Sequence, residues 1–259
     1  MGSALRLVFD PQDDLLAATR DCEAEVFSQW FGNTRQRLIE EYAPYEPNSA
    51  FLALADDHDE VLACARFLDS SRGPLKTIDD MQRPPWDVDA ARSAASVDVN
   101  LARTWDIATM GVRPRVAKEH VRLAFALYHG IITSVRVNNA TDIVAILDER
   151  VRQLLDSVGI IMRPLPGTRP ASYLGSPASA PVFARVSRSV YRQRRHFPDA
   201  YRLITLGIGL GDIRVPPRAE FRLRRPVDLP TAARQPAGSR PASRQPEGRP
   251  ELVGAAGSR

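Results

Sequence analysis

Two apolar runs and one basic loop hold the residues with chemistry to offer. Asp106 falls inside TWDIATMGV (Thr104 to Val112), whose β-branched and aromatic residues predict a strand ended by the Arg113-Pro114 turn signal. A carboxylate in a central strand is costly to bury unless paired, and burial raises its pKa toward values useful in a proton acceptor. Arg66 lies in EVLACARFL (Glu60 to Leu68), on a face otherwise filled with apolar side chains. Two readings stand for Asp106: a base or base-orienting group, or half of a structural ion pair with Arg66. Past the strand, the loop from Arg113 to His120 places Arg113, Arg115 and Lys118 ahead of a helix. Charge and a helix N-terminus together suit phosphate; a solvated basic loop is the other reading of the same residues.

The elements that must position these groups form one repeating theme. Val121 to Val137 spaces Ala124, Leu127, Tyr128, Ile131 and Val135 by three or four, with Leu123 and Ile132 beside them, which predicts a helix buried on more than one face. Thr141 to Leu147 (TDIVAIL) is short, apolar and β-branched, as in a strand covered on both sides. Strand, crossover helix and parallel strand then make a right-handed unit whose helix opens beside the first strand's C-terminal end. Around it we expect a strand at Leu5 to Phe9, a helix begun by Asp13 or Asp14, a short helix at Thr34 to Tyr42, and a hairpin from Ser49 to Ala55 into Glu60 to Leu68. Asp69 to Arg103 is a long polar excursion with one or two short helices, of a kind often functional. After the unit come a helix at Glu149 to Val158, strands at Ile160 to Leu165 and Pro181 to Val186, and a basic helix at Ser187 to Phe197. Tyr201 to Leu210 fits either strand or helix. Asp148, Glu149 and Arg150 end a strand where open sheets bind ligands, although Asp148 equally suits a helix cap.

With 259 residues, 44% of them hydrophobic, the chain can bury a large core. Its net charge of +4 is uneven. Ten arginines against four carboxylates give +6 from residue 214 onward, so residues 1–213 carry −2. The expected organisation is a folded domain at 1–213, with its core at about 15–186. A basic extension rich in Pro, Arg, Ala and Gly follows at 214–259, disordered from about residue 226. From about residue 226 its arginines have no interleaved aromatics, so nucleic acid is not an expected partner. Cys22 and Cys64 lack CxxC spacing and nearby histidines, so neither a disulfide nor a metal site is expected. No window reaches the roughly 18 apolar residues of a membrane span, and a cytoplasmic location is expected.

No GxGxxG after a strand, GxxxxGK[ST], HExxH or GxSxG is present, which removes most common enzyme classes. The order of hairpin, excursion, strand, basic loop, helix and strand resembles the GNAT acyltransferase superfamily. It is most similar to the branch of acyl-homoserine-lactone (autoinducer) synthases and N-acyl amino acid synthases, over roughly Leu15 to Val186. EVLACARFLDSSRGPL looks like their G-C-A-R-L strand, with Arg66 at the arginine. WDIATM looks like their W-E-x-S-R-F strand, with Asp106 at the glutamate, and Phe27 falls at the aromatic of their R-x-x-x-F helix. Three positions depart: Thr109 replaces the second arginine, Glu23 replaces the arginine before Phe27, and Glu41 and Glu46 are the counterparts of an acidic cluster. These positions help hold S-adenosylmethionine in the family, which argues against that acceptor. The basic loop lacks the family's glycines, and Leu155 stands where many members place a tyrosine acid.

The resemblance implies an α/β fold: a three-layer αβα GNAT-like architecture with a mixed, mostly antiparallel sheet and a splayed parallel strand pair. It implies an N-acyltransferase that moves an acyl group from an acyl-CoA or acyl-carrier-protein thioester to a small amine, with no tightly bound cofactor. Asp106, Arg66 and Glu46 are the implied catalytic set, Glu46 being a loop carboxylate that either orients the amine or is simply solvated. Backbone amides at Met110, Gly111 and Val112, with Arg113, Arg115 and Lys118, are the implied donor-binding set. Trp105, Phe27 and Phe67 line an acyl channel or belong to the core. The alternative is a GNAT-shaped protein that binds an acyl thioester without turnover.

Overall fold

The computed structural model describes residues 4–224, apart from the side chains of residues 117–120. The expected disorder from about residue 226 lies outside the described residues. The strands are β1 (Leu5–Phe9), β2 (Ser49–Ala55), β3 (Val61–Asp69), β4 (Thr104–Val112), β5 (Asp142–Asp148), β6 (Arg163–Pro164), β7 (Ala171–Tyr173), β8 (Ser176–Arg185) and β9 (Ile213–Arg214). The helices are α1 (Asp13–Phe31), α2 (Arg35–Tyr42), α3 (Lys76–Asp80), α4 (Ala90–Ala95), α5 (His120–Val137), α6 (Glu149–Ser157) and α7 (Val186–His196). The sheet runs β6-β8-β5-β4-β3-β2-β1-β9, with β7 paired to β8. Only β4–β5 and β1–β9 are parallel. This is the mixed, mostly antiparallel sheet the sequence implies, with β4 near its middle.

Helices cover both faces. Alternate residues of β2 face opposite ways: Leu52 and Leu54 join Leu123, Leu127 and Ile131 of α5 in one core, while Ala53 and Ala55 meet Cys22 and Val26 of α1 in another. That alternation is the period of two that a strand imposes. Helix α1 ends at Gly32, whose φ of 68° is the left-handed conformation that suits glycine, and whose N–H closes onto Phe27 and Ser28. Thr34 then caps α2 through the Arg37 N–H. The excursion holds two short helices, α3 and α4, as its polar sequence suggests.

Two boundaries differ from the sequence reading, and one segment left open between strand and helix is resolved. The strand expected over Ile160 to Leu165 is only β6, two residues long, because Ile160 and Met162 turn into the α5-side core. Strand β8 begins at Ser176 rather than Pro181, its early part being pinned by β5 and β7. Tyr201–Thr205 is a π-helical turn lying on α5. The packed chain runs past residue 213: β9 pairs with β1 and Phe221 is fully buried.

The feature that makes a site is how little β4 and β5 touch. Their parallel register covers only Thr104 to Asp106 against Asp142 to Val144. Beyond Asp106 the strands diverge, and the β4 edge facing β5 has no ladder partner. On its other side β4 stays paired with β3 as far as Val112. There α1 crosses at contact distance: a Cβ at Gly111 would lie 2.3 Å from Cγ1 of Val26. Gly111→Ala is therefore expected to destabilise the fold by about 1–3 kcal/mol through overpacking, measured by urea unfolding. Adding Val26→Ala should return part of that loss; a double variant no more stable than Gly111→Ala would contradict this packing.

Candidate active site

The divergence opens a cavity of about 100 Å³ between β4 and β5. Phe27, Phe31, Ile107, Met110, Leu147 and Val151 give it an apolar wall. Its polar wall has Asp106, Thr77, Lys76 and Tyr42 on one side and Asp148, Tyr173, Ser176 and Ser179 on the other. At this volume it takes the reacting end of a ligand and not a whole drug-sized molecule.

Asp106 is fully buried. Its carboxylate accepts the Thr77 backbone N–H at 2.6 Å and the Thr77 hydroxyl at 2.9 Å. Leu75, at the N-cap of α3, supplies no side-chain cap, so Asp106 takes that part across the fold. Burial pushes its pKa up to about 7, against the Thr77 hydrogen bonds and the nearby Lys76 ammonium, which favour the charged form. The expected structural pair between Asp106 and Arg66 does not form. Each finds other partners, because β3 bulges between Arg66 and Phe67 and sets Arg66 opposite Thr109, with Leu68 opposite Asp106.

Arg66 is instead enclosed in a network of its own. Its Nε and Nη2 donate to Glu23 at 3.0 and 2.7 Å, and its Nη1 donates to Glu46 at 2.7 Å. Tyr42 and Phe51 sandwich the guanidinium at 4.4 and 4.6 Å from their ring centres. Burial alone would lower its pKa; Glu23 and Glu46 outweigh burial and hold it above its ordinary value. Thr109 donates to Glu23. Glu23 and Thr109, two of the departures from the pattern the sequence resembles, thus form one unit with Arg66. Glu46 also meets Arg20 at 2.6 Å, and neither Glu46 nor Arg66 lines the cavity.

Of the donor-binding set, Met110 faces the cavity and Gly111 and Val112 continue the strand. Arg113 pairs with Glu25 at 2.7 Å, and Arg115 with Glu60. The Lys118 side chain lies outside the described residues. Trp105 and Phe67 belong to the α5-side core, their rings 5.4 Å apart, with Phe9 stacked on Trp105; only Phe27 of the three aromatics lines the cavity. Leu155, at the place of the family's tyrosine acid, is buried in the core. Asp148 does two things: it caps α6 through the Arg150 N–H at 2.8 Å and accepts the Ser176 hydroxyl at 2.7 Å.

Sequence reasoning missed the cavity's one cationic lining group among the described residues. Lys76 is 3% exposed, held by Glu41 at 2.5 Å and Asp80 at 2.6 Å, with Tyr42, Tyr45 and Tyr173 around its ammonium. The i, i+4 spacing of Lys76 and Asp80 was the available signal. Cys22 and Cys64 also meet in one buried cluster. Both thiols are free, and the Cys64 thiol donates a hydrogen bond to Cys22, which lowers the Cys22 pKa and raises that of Cys64. Among the described residues no group of three or more ligand side chains could hold a metal ion.

No protein-family model matches the chain, and no curated protein matches it by sequence. Solved structures do match by fold. FeeM, an N-acyl amino acid synthase from uncultured soil microbes, aligns with a TM-score of 0.56 at 9% identity over 74% of this chain and 95% of its own. BjaI, a CoA-dependent acyl-homoserine lactone synthase solved with SAM and isopentyl-CoA, aligns at 0.52 and 13% over 85% and 97%. The acyl-homoserine lactone synthase LasI aligns at 0.51 and 12% over 71% and 91%. The fold is therefore the one that these acyl-homoserine lactone and N-acyl amino acid synthases share.

Two outcomes follow from these contacts. Asp106 has a folded pKa of about 7, above the ordinary 3.8. The stability it contributes is therefore fully present below pH 3.8 and is lost as pH rises through 7. Asp106→Asn should accordingly gain Tm relative to the parent between pH 5 and pH 8; an unchanged difference would show that the carboxylate is not held in this state. Glu23→Ala should cost about 3–5 kcal/mol by leaving Arg66 buried with half its partners, read by chemical denaturation.

Proposed function

We propose that the protein is an N-acyltransferase that moves an acyl group from a coenzyme A or carrier-protein thioester to the amine of a small molecule. The observation that carries this reading is the cavity at the β4–β5 divergence, with an unladdered strand edge on one side and a buried carboxylate of raised pKa at its floor. An amide-bearing thioester arm can pair with the β4 edge beyond Asp106 as a further strand would, which brings its acyl carbonyl against backbone N–H groups at Met110 to Val112. The apolar wall of Phe27, Phe31, Met110 and Val151 suits the start of an acyl chain.

The acceptor amine must lose a proton as nitrogen attacks the carbonyl carbon. Asp106, ionised above about pH 7, takes it directly or through one water. The C–N bond forms, the tetrahedral oxyanion rests on the backbone donors, and the C–S bond breaks as the carbonyl reforms. A thiolate is a good leaving group, so the transfer does not depend on an acid at Leu155. Glu23, Thr109 and Arg66 satisfy one another, which leaves the acceptor to be recognised by other groups of the polar wall. Ser176, Ser179 and Asp148 form one hydrogen-bonded chain there, at 2.8 and 2.7 Å. Arg66 and Glu46 act by positioning α1, β2 and the Tyr42 wall. Arg113, Arg115 and Lys118 are offered to the donor's phosphates.

Binding is tested first: Tm of the purified chain against acyl-CoAs of increasing length, with free coenzyme A as control. A shift that grows with chain length is expected; no shift with any acyl-CoA or acylated carrier protein would remove the proposal. With an acceptor in hand, Asp106→Asn should lower kcat at least ten-fold. Thr77→Val, which removes a hydrogen bond to the charged carboxylate, should move the acidic limb of the pH–rate profile upward from about 7. A limb that stays in place would take the base assignment away from Asp106.

A further inference from the structure

At the other end of the same two strands lies a larger and quite different concavity. A groove of about 720 Å³ opens where β4 and β5 begin, within the range of small-molecule sites. Asp142, on its wall, is six residues from Asp148 of the candidate active site, or roughly 20 Å along the strand. The groove does not depend on the acyltransferase reading.

Five arginines line it, Arg103, Arg136, Arg185, Arg194 and Arg218, against two carboxylates, Asp98 and Asp142. Arg103 is turned onto the Asn139 carbonyl at 2.8 Å, and Arg185 holds Asp142 at 3.2 Å and the Asp98 carbonyl. Asp142 is also engaged by the Thr141 hydroxyl at 2.8 Å. Arg136, Arg194 and Arg218 are exposed and make no ion pair among the described residues. Their forks are free to meet an oxyanion, and guanidinium binds phosphate by two parallel hydrogen bonds. Helix α7 starts in the groove with no side-chain cap, and Ser187 of its first turn is on the wall; its dipole adds positive potential. Two aromatic side chains complete the lining: Tyr191, 62% exposed, and Tyr201. Free guanidinium forks beside the exposed Tyr191 ring and the half-buried Tyr201 make a surface for a phosphate chain attached to a flat base.

We infer that this groove is a second ligand site, for a nucleotide carrying two or more phosphates: Arg136, Arg194 and Arg218 take the phosphates and Tyr191 stacks on the base.

The test is calorimetric titration of the full-length chain with ADP, and with tripolyphosphate as the phosphate-only probe. Using the full chain keeps the arginines beyond residue 224 equal in every sample. The double variant Arg136→Ser/Arg194→Ser should bind ADP at least ten-fold more weakly with unchanged Tm, since neither side chain has an ion-pair partner to lose among the described residues. Tyr191→Ala should weaken ADP several-fold and leave tripolyphosphate unaffected. Arg113→Ser/Arg115→Ser, on the loop offered to the thioester donor, should leave ADP binding as it is. The inference is overturned if the groove double variant binds ADP like the parent, if the donor-loop double variant is the one that loses it, or if Tyr191→Ala weakens both probes equally.

Discussion

The buried guanidinium of Arg66 is the constraint on which the arrangement around the cavity depends. It is the single charge shared by α1 through Glu23, by the turn before β2 through Glu46, and by β4 through Thr109 on Glu23. A buried ion pair is a poor source of net stability, because desolvation offsets most of the attraction. Its directionality is what matters here. Two carboxylates and two aromatic faces enclose it, and the Thr109 hydroxyl fixes one of those carboxylates. That geometry fixes the tilt of α1, from which Phe27 and Phe31 reach the cavity, and the place of Tyr42, whose hydroxyl donates to the Ala108 carbonyl at 3.0 Å.

Beside this closed network, Asp106 is held in a way that leaves it strained toward protonation. An aspartate with two hydrogen bonds from Thr77 would ordinarily be more acidic than in water. Complete burial reverses that outcome. The fold thus carries an unfavourable carboxylate at neutral pH in exchange for capping α3, and α3 is the element that brings Lys76 and Thr77 to the cavity. The displaced pKa and its cost to stability arise from one cause, the burial of the carboxylate.

Much of this was legible in the sequence, for identifiable reasons. Binary patterns gave the hairpin, the central strand, α5 and the parallel pair, because burial on one or both sides writes a period that short windows can read. Asp106 and Arg66 stood out because charge in an apolar strand is rare enough to notice. Their partners did not stand out. Glu23 and Thr77 are 43 and 29 residues away in sequence from the groups they bond, and no local spacing encodes such a pairing; without it the two charges were easily assigned to each other. The late boundaries failed for another reason. Two-residue strands such as β6 and β9 are set by what they pack against, and a π-helical turn at Tyr201–Thr205 has no propensity of its own.

The short β4–β5 ladder ties these observations together. Two parallel strands that share only three register pairs can diverge without either unravelling, provided that each is held from its far side and that their starts are clamped. Both conditions are met. Strand β3 holds β4 to its end and β8 holds β5 to its end. At the start, Asp142 is fixed by Arg185 from β8 and by Thr141, while Arg103, just before β4, grips the Asn139 carbonyl. The clamp that permits the cavity at one end therefore gathers arginines at the other. Arg103 and Arg185 are spent on it, whereas Arg136, Arg194 and Arg218 exceed what the clamp requires, and it is that excess, not the charge of the chain as a whole, that marks the second groove as a surface with something to bind.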